Sequence, residues 1–100
     1  MNMNNINLKC ADKLKILADK TRLSVLKILM EEPKHVSEIN AFLGLEQSLL
    51  SHHLKLLRKA GFVEAKRDGK SVLYYFIGNT NSAVENKQID LGCCVLSFPN

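Results

Sequence analysis

"HVSEINAFLGLEQSLLSHHLKLLRKAGFV", residues 35–63, decides the fold. Ser37 is placed to cap a short helix with Ile39, Phe42 and Leu43 apolar, and Gly44 is its C-terminal stop. Only Leu45 and Glu46 separate that glycine from a second amphipathic stretch, Gln47 to Ala60, which Gly61 ends. A short helix, a tight glycine turn and a longer helix form a helix-turn-helix. On the longer helix, with Leu50 as reference and about 100° per residue, Leu54 and Leu57 fall within about 40° and His53 about 60° away. Those four residues form the expected buried face. Ser48, Ser51, His52, Lys55 and Lys59 lie between about 100° and 200°, a continuous polar and basic face.

The flanking residues extend the pattern. Leu8 to Ala18 reads as a helix with Cys10, Ala11, Leu14, Leu17 and Ala18 on one face. Asp19 caps the next, whose apolar positions are Leu23, Leu26, Leu29 and Met30, and Pro33 ends it. After Gly61 the period changes. "FVEAKR" and "KSVLYYFI" are strand-like, and the Asp68-Gly69 between them suits a type I′ hairpin. The expected class is therefore mainly α with a small two-stranded β wing: a winged helix-turn-helix. Tyr74 and Tyr75 point to opposite faces of their strand, one packing and the other partly exposed. Further on, "GNTNS" (78–82) has a loop composition, and "DLGCCVLSF" (90–98) is apolar and strand-like. We expect a single domain with its core at about 8–77 and a loop and extended apolar tail over 78–100.

Charge agrees with this reading. The 100 residues carry a formal net charge of +4, and residues 51–70 supply it: Lys55, Arg58, Lys59, Lys66, Arg67 and Lys70 against Glu64 and Asp68. A local basic block on a neutral body suits a nucleic-acid binder. Gln47 can pair bidentately with adenine, and Ser48, Ser51 and His52 can hydrogen-bond to bases or phosphates. Lys55 and Lys59 suit phosphate contact, where counterion release drives binding. Arg67 and Lys70 flank the wing tip and would reach a minor groove or its phosphates. No apolar run approaches the ~20 residues of a membrane span, and the first ten residues lack the pattern of a signal peptide. We expect a cytoplasmic protein with its three thiols free. No phosphate-binding glycine loop or reactive Ser/His/Asp or Cys/His arrangement is visible, which argues against an enzyme. A chain this short buries a modest fraction of its surface, so dimerisation is expected.

"LADKTRLSVLKILM" followed by "HVSEINAFLGLEQSLLSHHLKLLRKAGFVEAKRDGKSVLYYF" resembles the ArsR/SmtB family of bacterial winged-helix repressors, over roughly residues 10–77. The resemblance implies a homodimer on palindromic operator double-stranded DNA, released by an inducer that is often a metal ion or metalloid. It also implies that Gln47, Ser48, Ser51 and His52 read the operator while Arg67 and Lys70 hold the backbone. At Glu46 the family more often has Ser or Asp. Two inducer sites familiar in the family are missing. The 35–45 stretch holds no cysteine pair, and residues 78–100 hold no histidine.

The cysteines are the remaining candidate for a switch. Cys10, Cys93 and Cys94 could form a trigonal sulfur site for As(III), Sb(III) or another soft metal ion, or a redox site. No cofactor is obligatory. In an extended strand Cys93 and Cys94 would face opposite ways, and Gly92 permits the turn that would bring them together. The alternatives are thiols that only pack, in a DNA-binding regulator without thiol sensing, and a winged-helix module for protein interaction. His53 is expected in the core, and His35 isolated before the third helix.

Overall fold

The computed structural model describes residues 3–77 and 87–98, and the loop expected at "GNTNS" lies outside them. Four helices come first: α1 (Met3–Leu17), α2 (Lys20–Glu31), α3 (Val36–Leu43) and α4 (Gln47–Lys59). The wing strands are β2 (Val63–Asp68) and β3 (Ser71–Phe76), and a two-residue strand, β1 (Lys34–His35), joins the far edge of β3. All pairings are antiparallel in the order β1-β3-β2. The wing therefore has three strands rather than two. A separate hairpin, β4 (Lys87–Asp90) and β5 (Val95–Phe98), occupies the C-terminal region. The apolar tail is extended in its strands, but it folds back on itself.

The helix ends follow local chemistry. Asp19 caps α2, its carboxylate accepting from the Arg22 backbone N–H at 2.9 Å. α3 starts earlier than expected. His35, not Ser37, is its N-cap residue, and the Glu38 carboxylate reaches back to accept the His35 backbone N–H at 2.8 Å. A glutamate at the third helical position serves this purpose well. Gly44 adopts φ 63 just past α3 and its N–H donates to the Asn40 carbonyl at 2.8 Å, the left-handed stop that favours glycine. At the end of α4 the Gly61 and Phe62 N–H groups donate to the Arg58 and Leu57 carbonyls, both at 3.0 Å, which closes a Schellman motif.

The wing turn differs by one residue from the expectation. Asp68 pairs with Ser71, so the two-residue loop is Gly69-Lys70. Gly69 has φ 64, and among the described residues no non-glycine residue has positive φ. A glycine at the first central position alone fits a type II′ turn rather than I′.

The core draws on every helix. Val25, Leu26 and Leu29 of α2 meet Ile39 of α3, Leu50, Leu54 and Leu57 of α4, and Phe62 and Val63 where the chain enters the wing. Leu17 contributes from α1, and Ile89 and Leu91 from the C-terminal hairpin. The apolar face expected on α1 is only partly used: Leu17 is buried, Cys10 half-buried, and Ala11, Leu14 and Ala18 are exposed. The face of α4 turned inward is the expected one. Leu57 is fully buried while Leu49, on the same helix, is 45% exposed. Leu57→Ala should cost about 2–5 kcal/mol in urea unfolding, and Leu49→Ala under about 1 kcal/mol. Equal costs would contradict the assigned face.

Candidate nucleic-acid interface and the thiol cluster

The turn between α3 and α4 is held by a side chain whose role the sequence reading did not identify. Asn40 donates its amide to the Leu45 carbonyl at 2.8 Å and accepts the Leu45 N–H at 2.7 Å. This pair of hydrogen bonds to one residue braces the turn from which α4 leaves. An asparagine four residues before a helix-stop glycine was the available signal.

α4 is fixed from below as well. His53 is 8% exposed, and its Nδ1 accepts from Nη1 of Arg22 at 3.1 Å, since a guanidinium can only donate. The same Arg22 donates Nε–H to the Ile16 carbonyl at 2.5 Å. One arginine thus ties the end of α1, the start of α2 and the middle of α4. At the far end, Arg58 donates to Glu64 at 2.7 Å and so joins α4 to β2. The Ala65 backbone N–H and Arg58 hold the Glu64 carboxyl below its usual range.

The opposite face of α4 is free of such bonds except at its start. Gln47, Ser48, Ser51, His52, Lys55 and Lys59 are all exposed, as are Arg67 and Lys70 at the wing tip. The eight residues expected to meet DNA therefore all lie on the surface. Glu46 is the N-cap residue of α4 without capping it through its side chain. Its carboxylate instead accepts the Ser48 hydroxyl. An open cleft of about 660 Å³ runs between α3, the start of α4 and β3, bounded by Ser37, Gln47 and Ser71.

His35 is not isolated. Its Nε2 lies 2.8 Å from Oδ2 of Asp68, at the base of the wing tip, and its Nδ1 lies 2.9 Å from Oε1 of Glu38 on α3. The imidazole bridges helix and wing. Hydrogen bonds to Asp68 and then Glu38 favour the charged ring and raise its pKa above the ordinary 6.5.

The three cysteines converge. β4 and β5 are joined by Leu91–Cys94, with Leu91 N–H donating to the Cys94 carbonyl at 2.9 Å. Gly92 has φ 90, and its N–H donates to Oδ1 of Asp90 at 2.8 Å. The adjacent cysteines thus sit in a turn rather than a strand, and both reach α1. The Sγ atoms of Cys10, Cys93 and Cys94 all lie within 4.8 Å of one another. Cys10 and Cys93 are brought into direct sulfur contact with a Cα–Cα separation of 6.2 Å, inside the range a disulfide spans, and Cys94 is exposed. The turn at Gly92 presents Cys93 directly to α1. Lys13, one turn along from Cys10, donates to the Leu91 carbonyl at 3.3 Å and fastens the loop to the same helix.

These features define a winged helix-turn-helix protein with an added C-terminal hairpin. Residues 19–65 match the family model described as bacterial regulatory protein, arsR family. Similarity to individual proteins reaches further. A helix-turn-helix transcriptional regulator of Methanocaldococcus jannaschii, MJ1325, is 40% identical over 70 residues, covering 69% of this chain and 79% of that protein. Rv0081 of Mycobacterium tuberculosis, also named as a helix-turn-helix transcriptional regulator, is 42% identical over 65 residues, 64% of this chain and 57% of its own length. The matched region thus spans little more than half of that relative. The solved structure of reduced HlyU from Vibrio cholerae superposes with a TM-score of 0.72 at 32% identity, covering 77% of this chain and 81% of that one. The chain belongs to the ArsR family of bacterial transcription regulators.

The helix–wing bridge has a definite pH dependence. Because the folded pKa of His35 is raised, its contribution to stability is fully present below 6.5 and is lost as pH rises through the folded value. Urea unfolding of wild type and His35→Ala should show the wild-type advantage shrinking with rising pH over that window. An advantage that grows with pH would contradict the bridge.

Proposed function

We propose that the protein is a sequence-specific DNA-binding transcriptional regulator that acts as a homodimer on operator DNA in the cytoplasm. Its DNA affinity is set by the chemical state of Cys10, Cys93 and Cys94. The observation that carries the DNA reading is the two-faced α4. Leu50, His53, Leu54 and Leu57 are buried, and the polar, basic side chains on the other face project beside an equally basic wing tip.

In this reading α4 enters the major groove with its N-terminal half nearest the bases. Gln47, Ser51 and His52 contact base edges. Ser48, already donating to Glu46, accepts from DNA groups or releases that bond. Lys55 and Lys59 neutralise phosphates, and Arg67 and Lys70 grip the backbone beside the wing. Arg58 is excluded from this set by its ion pair with Glu64. Occupancy of the operator represses transcription. Homodimerisation is supported by the exposed apolar residues Ala11, Leu14 and Ala18 on α1. A mycobacterial winged-helix DNA-binding domain described as homodimeric also supports it, with a TM-score of 0.65 at 31% identity. Two copies of α4 would then address half-sites about one helical turn, ~34 Å, apart.

Control by sulfur chemistry rests on the meeting of α1 and the C-terminal hairpin at the three cysteines. A bond or ion joining them constrains α1, and α1 is tied to α4 through Arg22. A coupling of about 1–3 kcal/mol, roughly 5–150-fold in affinity, is enough to release an operator. CadC of Listeria innocua, named as a cadmium resistance transcriptional regulatory protein, is 41% identical over 66 residues and lends support to a soft-ion inducer.

The test uses DNA selected from a random pool. Lys55→Ala and Lys59→Ala should each weaken binding uniformly across sequences and lower the salt slope by about one. Gln47→Ala should cost about 1–3 kcal/mol and relax preference at one base position. A wild type whose DNA association shows no steep salt dependence would favour a protein-interaction module instead.

A further inference from the structure

Arg67 and Lys70 can meet a DNA backbone only if the wing tip that carries them is held in place, and His35 is the side chain that reaches it. Resting on the DNA-binding reading above, we propose that His35 is a positioning residue for DNA binding. Its doubly protonated imidazole braces the wing tip against α3 and offsets carboxylate charge beside the DNA backbone, so operator binding takes up protons at His35.

The hydrogen bonds of the ring require both protons. Nε2 lies 2.8 Å from Oδ2 of Asp68, and Nδ1 lies 2.9 Å from Oε1 of Glu38. Ionised carboxylates only accept, so each ring nitrogen carries a proton when both bonds are made. A neutral imidazole has one N–H and keeps one of the two. Glu38 also accepts the His35 backbone N–H at 2.8 Å, which holds it to the ring, so the bond to Asp68 is the one released.

That bond spans the wing. His35 pairs with Leu73 and Asp68 with Ser71, from opposite sides of β3. β1 and β2 are not neighbours in the sheet, so the imidazole reaches across β3 to the residue that opens the Gly69-Lys70 turn. Arg67 precedes Asp68 directly, and Lys70 closes the same turn. Release of Asp68 loosens the tip that carries both basic side chains.

The strut also faces the path of the DNA strand. His35 lines the cleft of about 660 Å³ with Ser37 of α3, Gln47 of α4 and Ser71 of β3. A duplex with α4 in its major groove and the wing at the adjacent minor groove carries its intervening sugar–phosphate strand between the two, over this cleft. With the ring charged, His35, Glu38 and Asp68 keep one net negative charge; with the ring neutral they keep two. Lys66, which also pairs with Leu73, shares this sheet face, and Lys34 is paired with Glu32 at 2.8 Å. Neither lysine changes charge near neutral pH. The added negative charge lies close enough to phosphates to escape much of the screening by salt.

The sign follows from these contacts. Asp68 and then Glu38 hold the His35 pKa above 6.5 in the free protein. Phosphates beside the cleft favour the charged ring further, so the pKa is higher still in the complex. DNA affinity is full below the free-protein value and falls as pH rises through the bound one.

The test follows the histidine ring signals of the full chain by NMR, free and bound to a duplex selected from the random pool, at fixed salt from about pH 5.5 to about 9. The His35 pKa should rise by roughly half a unit or more on binding, and affinity should fall about threefold per protomer over the same window. His35→Gln should lose this part of the pH profile and bind throughout with the wild-type affinity of high pH. A merely structural loss at the α3 N-terminus would weaken binding equally at all pH values and leave the slope. His52 titrates in both proteins and cancels in the comparison. Asp68→Asn, which leaves the helix cap untouched, should move the window to lower pH. An unchanged or lowered His35 pKa in the complex, a wild-type slope in His35→Gln, or an unmoved window in Asp68→Asn overturns the proposal. Steep salt dependence of DNA binding without the His35 shift would remove this role and leave the DNA reading standing. Absence of salt-dependent DNA association would remove both.

Discussion

The buried side of α4 is the constraint on which the rest of the molecule depends. Leu50, Leu54 and Leu57 are at most 1% exposed, and each contributes about 1.5–3 kcal/mol by leaving water. Because all three lie along one stripe, rotating the helix by even a quarter turn would expose them. The hydrogen bond from Arg22 to His53 adds direction to this apolar contact. The outward face of α4 is polar and basic as a consequence, and the helix cannot change which residues it shows.

Much of this was legible beforehand because amphipathic helices encode their orientation in spacing. Leucines at 50, 54 and 57 permit one inward face, and Gly44 and Gly61 mark the helix ends through backbone freedom alone. What stayed hidden depends on contacts between distant residues. His35 meets Asp68 across 33 positions, and Cys10 meets Cys93 across 83. Neither pairing leaves a periodic trace. β1 was missed for a related reason: two residues after a proline carry no alternation, and only their pairing with Leu73 and Tyr74 makes them a strand. The Gly69-Lys70 turn shows the limit of dipeptide preferences, since register decided which two residues form the loop. The six α4 residues expected to meet DNA are exposed, as a solvent-facing helix face requires, Arg67 and Lys70 are exposed at the wing tip, and Arg58 pairs with Glu64 instead.

The C-terminal hairpin gives the small domain something beyond a scaffold. Ile89 and Leu91 complete the core, so the hairpin is part of the folded body rather than an appendage. Its turn carries two thiols to α1, and the end of α1 shares Arg22 with α4. A covalent or coordinate bond made at the turn therefore bears on a helix that is two contacts away from the proposed reading face. In the proposed homodimer, a change in the position of α1 would alter the spacing of two α4 helices, and that spacing is what operator half-sites measure.

The outward face of α4 as the DNA-reading surface is the central claim, and amide chemical-shift mapping during titration with a selected DNA duplex tests it most directly. The account predicts the largest changes at Gln47, Ser48, Ser51, His52, Lys55 and Lys59, with a second group at Arg67 and Lys70. Changes concentrated on α1 or the C-terminal hairpin, with α4 unmoved, would contradict it.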